Sequence, residues 1–253
     1  SDVEVVTPSR PSTRLGLAVC PEVVAQWRVA VERARTLPVM RSTPETLTWK
    51  LTAIIQALAT GAFADGRHRM SHTELPRLFE SIVALVDTLP KPPDPYRPQQ
   101  DEPELESTAR VRVVAGPSGS GKTSWAAQAA MHTAAEIVYA RAGETEGRNF
   151  AFWISSHLIG NVENMDPSAM AHAFRPGVTG SEAVRLLDHI IAAQQRQVLV
   201  IVDDAHHLDD DVVASAVAGT ACVSWLFIGR PCQPLSRLAQ RLAVPTSNLK
   251  GWS

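Results

Sequence analysis

The segment GPSGSGKT, residues 116–123, limits the possible folds of this chain more than any other feature of the sequence. It fits the pattern G-x-x-x-x-G-K-[ST] and directly follows the apolar run VRVVA at 111–115. Glycines in such a loop let backbone N–H groups turn inward around the phosphates of a nucleotide, and a helix that starts there adds partial positive charge. The pattern therefore predicts a strand, a phosphate-binding loop and a helix in immediate succession.

Short apolar runs alternate with amphipathic segments through the rest of the chain. The candidate strands are residues 111–115, 136–142, 198–204 and 223–229, with a weaker one at 244–249. The candidate helices are residues 122–134, 149–160, 181–195, 209–219 and 235–243. Strands and helices that alternate in this way predict an α/β domain whose parallel sheet is covered by helices on both faces.

The loop is expected to bind a nucleotide together with Mg²⁺. Lys122 would reach the β- and γ-phosphates and act in catalysis, and the hydroxyl of Thr123 would bind the metal ion. The candidate nucleotide-binding residues are Gly116, Pro117, Ser118, Gly119, Ser120, Gly121, Lys122, Thr123 and Ser124. A glycine-rich turn with a solvated lysine is the weaker interpretation, because a strand precedes the motif and a helix follows it.

The run VLVIVDDAHHLDDD, residues 198–211, places two carboxylates directly after an apolar strand. Ligands bind at the carboxyl ends of parallel strands, so Asp203 and Asp204 are expected at the same edge of the sheet as the loop. Asp203 is predicted to be the Mg²⁺-associated acid, and Asp204 the catalytic acid that orients or polarises the attacking water. The reverse order of the two roles stays open.

The histidines and the later aspartates of this run have simpler explanations. His206 and His207 are adjacent, so they share neither a helix face nor a strand face, and no CxxC or HExxH pattern completes a metal site. We expect His206 to bond locally near the γ-phosphate or to pack under the loop, and His207 to face solvent. Asp209, Asp210 and Asp211 are expected to cap the N-terminus of the next helix and to complement its partial positive charge.

Arg230 directly follows the apolar run at 223–229. An arginine at that edge of the sheet could stabilise the charge of a γ-phosphate, which makes Arg230 a candidate catalytic residue. A surface ion pair is an equally supported interpretation.

The first part of the chain has a different pattern. Residues 1–89 contain three helix-like stretches, at 21–34, 43–63 and 71–89. Each has a narrow apolar stripe that needs a partner, so a small all-helical N-terminal region is predicted. Proline and polar residues dominate 90–108, which favours an extended linker. The predicted divisions are residues 1–89, the linker at 90–108 and the nucleotide-binding core at 109–253.

Composition narrows the class of protein further. The formal net charge of the 253 residues is −2, and acids balance bases in both halves, so bulk charge does not indicate a DNA-binding domain. Three cysteines without a CxxC pair argue against a disulfide framework and suit a reducing compartment. No apolar run reaches the roughly 18 residues that a membrane span requires, so we expect a cytoplasmic protein without a membrane partner.

Three segments together resemble the nucleotide-binding core of the STAND class of P-loop ATPases, the signal-transduction ATPases with numerous domains, which are close to AAA+ proteins. They are GPSGSGKTS, VLVIVDDAHHLDD and VSWLFIGRP, within residues 110–250. The double acid followed by His206 resembles the second motif of that class, with Asp204 where many relatives have glutamate. Residues 139–158, YARAGETEGRNFAFWISSHL, also resemble a segment in the ATPase portion of large LuxR-type regulators.

The resemblance implies a P-loop NTPase sheet of the ASCE type, with strand order 5-1-4-3-2. It also implies a regulatory ATPase that binds ATP or ADP with Mg²⁺, hydrolyses ATP slowly, forms a homo-oligomer in the ATP state and signals to an effector or partner protein. The family continues into a helical lid and a winged-helix domain, whereas this sequence ends at NLKGWS, residues 248–253. Weak hydrolysis, or binding alone, is therefore expected of a core without its lid.

Three other functions stay open. A AAA+ helper ATPase that assembles on DNA, of the transposition or secretion-accessory type, has a similar order of apolar strand, acidic pair, Ala-His and a strand ending in glycine. A nucleotide kinase is the weaker alternative, since GPSGSGKT with GETEG at 143–147 resembles guanylate kinases but the acidic pair suits hydrolysis better. A degenerate P-loop scaffold would bind nucleotide without hydrolysing it.

Overall fold

The computed structural model describes residues 89–143, 150–161 and 179–251, together with Ala25, Arg28, Val29 and Glu32. These four single residues are helical and exposed, and they fall within the helix predicted at 21–34. The helix predicted at 43–63, residues 71–88 of the helix predicted at 71–89, and most of the segment GETEG lie outside the described residues, whereas Leu89 is described and is not helical. The chain divides into two compact units, one comprising residues 1–86 and 151–187 and the other residues 87–150 and 188–253.

A five-stranded parallel sheet forms the centre of the second unit. Its strands are β1 (Val111–Ala115), β2 (Glu136–Arg141), β3 (Val198–Asp203), β4 (Val223–Gly229) and β5 (Thr246–Asn248). Neighbouring strands pair in the order β2-β3-β4-β1-β5, and every pairing is parallel. Read from the other edge, this is the predicted order 5-1-4-3-2, so the predicted P-loop fold class is confirmed.

The helices that follow the strands are close to those predicted. They are α1 (Lys122–Met131), α2 (Phe150–Asn161), α3 (Gly180–Ala193), α4 (Asp210–Ala218) and α5 (Gln233–Arg241). Differences occur only at the ends: α1 ends at Met131 because the side chain of Thr133 accepts a hydrogen bond from the backbone N–H of Ala135, 3.2 Å away, and forms a local turn. In the described part of the chain, no helix is long and apolar enough to span a membrane.

The central strands are buried on both faces, which explains their continuous apolar sequences. Leu226 and Ile228 of β4 belong to a cluster with Trp125 of α1. Successive strand residues point to opposite faces, and on the other face Trp225 and Phe227 stack with their ring centroids 5.9 Å apart. Phe150, the first residue of α2, lies there with its ring centroid 6.0 Å from that of Trp225.

The proline-rich segment 90–108 is held to the core by hydrogen bonds. The indole N–H of Trp125 donates to the carbonyl of Pro103, 3.0 Å away. The guanidinium of Arg112 donates to the carbonyls of Glu104 and Leu105 and lies 5.0 Å from the centroid of the Trp125 ring. The segment is thus part of the second unit, in addition to connecting it to the residues before it.

Two aspartates fix the ends of secondary-structure elements. The carboxylate of Asp209 accepts hydrogen bonds from the N–H groups of Asp211 and Val212, at 3.1 and 3.3 Å, which confirms the predicted cap of α4. Asp188 on α3 is buried, and its carboxylate accepts hydrogen bonds from three successive N–H groups at the start of β4. The donors are Ala221, Cys222 and Val223, at 2.8, 2.9 and 2.8 Å.

Candidate nucleotide-binding site

Glycine shapes the loop between β1 and α1. Gly119 and Gly121 both have a φ angle of +78°, in the left-handed region that favours glycine. A Cβ atom on Gly116 would lie 2.8 Å from the carbonyl oxygen of Leu249, so only glycine lets the end of β5 pack this closely. Among the loop residues, Pro117, Ser118 and Gly119 are exposed and Ser124 is half-buried. The predicted loop thus forms directly between strand and helix.

Lys122 lies inside this loop. Its ammonium donates hydrogen bonds to the carbonyls of Gly116 and Pro117, at 2.8 and 2.7 Å, and its side chain is largely buried. Burial lowers the pKa of Lys122, the charges of Asp203 and Asp204 act in the opposite direction, and Arg230 lowers it further. The charges of Asp203, Asp204 and Arg230 therefore all act on Lys122.

Asp203, at the end of β3, joins the loop to the neighbouring strands. Its Oδ2 accepts hydrogen bonds from the hydroxyls of Thr123 and Tyr139, at 2.7 and 3.0 Å, and its Oδ1 accepts one from the N–H of Asp204, at 2.8 Å. Only 6% of Asp203 is exposed, so these donors largely replace water around the carboxylate. The two predicted Mg²⁺ ligands, Thr123 and Asp203, are thus in direct contact.

Asp204 has a different environment from Asp203. Its backbone is left-handed, with φ 53° and ψ 33°, and it begins the 3₁₀ turn Ala205–His207. This conformation turns the chain sharply after β3, and aspartate tolerates it better than most residues. The carboxylate of Asp204 forms an ion pair with Nε of Arg141 on β2, at 2.9 Å. The two acids therefore contact different partners, as separate roles would require.

His206 packs against the end of β4. A Cβ atom on Gly229 would lie 3.3 Å from the backbone nitrogen of His206 and 3.4 Å from its Nδ1, so the missing side chain of Gly229 gives the ring room. Burial and the charge of His207 lower the pKa of His206. The charges of Arg230 and Lys122 lower this pKa further, whereas the charge of Asp204 raises it. His206 thus packs at the carboxyl end of β4 with a lowered pKa, whereas His207 is exposed, as predicted.

Arg230 is exposed at the carboxyl end of β4. Within the described residues, Arg230 forms no salt bridge, so the predicted surface ion pair is not seen there. Ala115, the last residue of β1, pairs in register with Gly229, so the loop and Arg230 follow neighbouring parallel strands at the same end of the sheet. The charge of Arg230 lowers the pKa of both Lys122 and His206.

The residues around the loop fit a nucleotide with Mg²⁺. The hydroxyl oxygen of Ser120 is buried and has no hydrogen-bond partner among the described residues. A Cβ atom on Gly119 would meet no atom within 4 Å, so the loop is open at that point. Thr123 and Asp203 supply the oxygen ligands that Mg²⁺ prefers. Donor groups for phosphate and acceptor groups for a metal ion therefore occur side by side.

Comparison with known families decides the class of the protein. The sequence model of a family described as an AAA domain matches residues 105–235, more than half of the chain. The chain belongs to the AAA domain family. The match includes the loop, both acids and Arg230, and it begins inside the proline-rich segment. No curated protein matches this AAA protein.

Solved structures similar to this AAA protein are distant in sequence. The Aeropyrum pernix ORC2 protein in its ADPNP–ADP complexes is 14% identical with a TM-score of 0.42, over 57% of this chain and 42% of that chain. The ADP form of the same protein is 12% identical with a TM-score of 0.42, over 57% and 43% of the two chains. Cdc6p from Pyrobaculum aerophilum is 16% identical with a TM-score of 0.36, over 55% and 38%. The match spans less than half the length of each.

Two residues that contact the acids of this AAA protein, Tyr139 and Arg141, are not among the site residues predicted from the sequence. Both lie near the carboxyl end of β2, two positions apart and therefore on the same face of the strand. In the sheet, Arg141 is paired in register with Asp203. The available signal was a polar residue at the carboxyl end of the strand expected beside the acidic one.

Proposed function

We propose that this AAA protein is a Mg²⁺-dependent, ATP-binding regulatory ATPase that acts as a nucleotide-dependent switch of the STAND type. The observation that carries the proposal is the hydrogen bond between Thr123 and Asp203, residues 80 positions apart in sequence. It joins the phosphate-binding loop to the acidic strand, and the two together supply the donors and acceptors that a magnesium nucleotide needs.

Each site residue has a role in this proposal. The backbone N–H groups of the loop and the ammonium of Lys122 would hold the phosphates, and Thr123 and Asp203 would hold Mg²⁺. The metal ion, when bound, supplies positive charge that offsets the charge of the phosphate oxygens. Asp204 would orient the attacking water, and Arg230 would stabilise charge on the γ-phosphate.

Slow hydrolysis and signalling are the finer parts of the proposal. The ion pair between Asp204 and Arg141 supports slow hydrolysis, because a carboxylate oxygen bound to a guanidinium accepts a hydrogen bond from water less readily. Oligomerisation in the ATP state and transfer of a signal to an effector rest on the resemblance to STAND-class ATPases. Their test is the particle mass in solution, which we expect to increase with Mg²⁺ and a non-hydrolysable ATP analogue but not with ADP.

The first experiment measures ATP affinity in the presence of Mg²⁺ for the native chain and for Lys122→Ala. We expect the variant to bind at least about a hundredfold more weakly, since it loses the cation that faces the phosphates. Lys91→Ala, at an exposed lysine, is the matched control and should bind as the native chain does. Equal affinities for the native chain and a folded Lys122→Ala would contradict the site assignment.

The second experiment separates binding from hydrolysis. Asp204→Asn keeps the size of the side chain but removes the charge that would orient water, so we expect retained ATP affinity and a rate of phosphate release lower by about a hundredfold or more. Asp209→Asn is the control, because asparagine also caps a helix. Unchanged turnover in Asp204→Asn would mean that the two acids are misassigned, and native protein that binds ATP without releasing phosphate would contradict the ATPase activity.

A further inference from the structure

The side chain of Gln99 joins three segments of the second unit. Gln99 is buried, with 9% of its surface exposed. Its Nε2 donates a hydrogen bond to the carbonyl oxygen of Ser120, at 2.6 Å, and its Oε1 accepts one from the backbone N–H of Gly251, at 2.9 Å. We call these two hydrogen bonds the Gln99 bridge. It connects the proline-rich segment, the phosphate-binding loop and the residues after β5.

A tight turn holds Gln99 in this position. The backbone N–H of Gln99 and the hydroxyl of Tyr96 both donate to Oε2 of Glu102, at 2.8 and 2.9 Å. Asp101, whose φ angle is 59°, forms an ion pair with Lys250 at 3.1 Å. The turn and the residues after β5 are therefore linked at a second point, next to the Gln99 bridge.

The Gln99 bridge uses both ends of the amide. The NH₂ group faces a carbonyl, which can only accept, and the amide oxygen faces an N–H, which can only donate. Glutamate has the same size but would place an oxygen and a negative charge against the carbonyl of Ser120. The neighbouring Gly121 leaves room for the amide, because a Cβ atom there would lie 3.2 Å from Nε2.

The Gln99 bridge also fixes the orientation of one peptide group in the loop. In a planar trans peptide the N–H of Gly121 points away from the carbonyl of Ser120. Since Gln99 holds that carbonyl, the N–H is directed to the opposite side of the peptide. Backbone N–H groups are what bind phosphate in a loop of this kind, and rotation of this peptide would reverse the direction of the Gly121 N–H.

We propose that Gln99 is a positioning residue for nucleotide phosphates. It sets the orientation of the peptide between Ser120 and Gly121, and it makes phosphate affinity depend on the positions of the proline-rich segment and of the residues after β5. This inference rests on the proposed nucleotide-binding function. Because Gln99 acts through the loop backbone, its effect concerns the phosphates and not the base or the sugar.

The test is the affinity of the full chain for ATP, ADP and inorganic tripolyphosphate, each with Mg²⁺. Tripolyphosphate carries the phosphates without base or sugar. For Gln99→Ala we expect all three ligands to bind about tenfold more weakly, the loss expected from one well-placed hydrogen bond. For Gln99→Glu we expect a larger loss, because it adds a negative charge beside the loop. Weaker binding of ATP with unchanged binding of tripolyphosphate would overturn the inference.

Gln100→Glu is the matched control, because it introduces the same charge at the exposed neighbouring position of the same turn. We expect it to bind all three ligands as the native chain does. An equal loss in Gln99→Glu and Gln100→Glu would mean that distant charge, and not the Gln99 bridge, sets the affinity. The folded fraction of each variant is measured by circular dichroism, and affinities are corrected for it. A loss of affinity that disappears after this correction would mean that Gln99 only stabilises the fold, and would overturn the inference.

Lys122→Ala separates failure of this inference from failure of the proposed function. If the native chain binds no ATP, or Lys122→Ala binds it as the native chain does, the proposed function fails and the role of Gln99 fails with it. If the native chain binds ATP, Lys122→Ala does not, and both Gln99 variants bind as the native chain does, then only the role of Gln99 is wrong.

Discussion

Arg141 lies outside the phosphate-binding loop and the acidic run, yet it contacts one of the two acids of the candidate site. Its side chain is 66% exposed, yet it holds the carboxylate of Asp204 in a hydrogen-bonded ion pair at 2.9 Å. The side chain of its partner Asp204 is less exposed, at 24%. A surface ion pair of this kind adds little to stability, so its importance is for the position of the Asp204 carboxylate.

For Arg141→Gln we expect ATP affinity close to that of the native chain and a severalfold faster release of phosphate. The reason is that the carboxylate of Asp204, freed from the guanidinium, accepts a hydrogen bond from water more readily. Affinity is measured by calorimetry and turnover by a phosphate-release assay. Arg185→Gln, at an exposed arginine in the i,i+3 pair with Glu182, is the matched control. Slower turnover in Arg141→Gln would show that Arg141 assists hydrolysis.

At the scale of helices and strands, most bounds could be predicted from the sequence. The hydrogen bonds from the start of β4 to Asp188 could not. The strands at 111–115 and 223–229 agree with the prediction at both ends, because buried parallel strands are continuous apolar runs. Asp188 gave no such signal, since an aspartate in the sequence LLDHII looks like the polar side of a helix. Asp188 accepts hydrogen bonds from β4 because that strand begins next to it, and the position of the strand is decided only when the sheet assembles.

Asp188→Ala should lower the free energy of unfolding by about 3 kcal/mol, because it leaves three N–H groups at the start of β4, including the buried one of Val223, without their acceptor. Asp188→Asn, which retains one amide oxygen, should have an intermediate effect. The measurement is denaturation by urea, followed by circular dichroism. Asp209→Ala, which removes the exposed cap of α4, is the comparison and should cost about 1 kcal/mol. If Asp188→Ala costs no more than Asp209→Ala, the three hydrogen bonds do not carry the stability assigned to them.

At the scale of the whole molecule, stability depends on pH through groups buried in a neutral form. His157 on α2 is buried, and burial lowers its pKa from the ordinary 6.5 to about 4. In the unfolded chain the ring takes up a proton near its ordinary pKa, whereas in the folded chain it stays neutral until the pH approaches the lowered value. Between these two pKa values the unfolded chain binds more protons, so the folded state loses stability as the pH falls.

We therefore expect the free energy of unfolding to decrease by up to about 3 kcal/mol through His157 as the pH falls from 6.5 to 4. The check is urea denaturation at several pH values for the native chain and for His157→Gln, whose side chain does not titrate. Carboxylates also titrate near the lower end of this range, so the difference between the two curves is the relevant quantity. Parallel curves for the two proteins would contradict the assignment to His157.

The sequence by itself determined the phosphate-binding loop, the acidic strand and the alternation of strands and helices. These are local patterns: a glycine spacing, an apolar run and a helical period, each readable over about ten residues. Only the tertiary structure decided which polar groups share a hydrogen bond, as for Tyr139 with Asp203, Arg141 with Asp204 and Gln99 with Ser120. Such contacts join residues 21 to 64 positions apart, and side-chain direction at that range is set by strand order, register and packing. The motif could therefore be recognised in the sequence, whereas the residues that orient it became visible only in the fold.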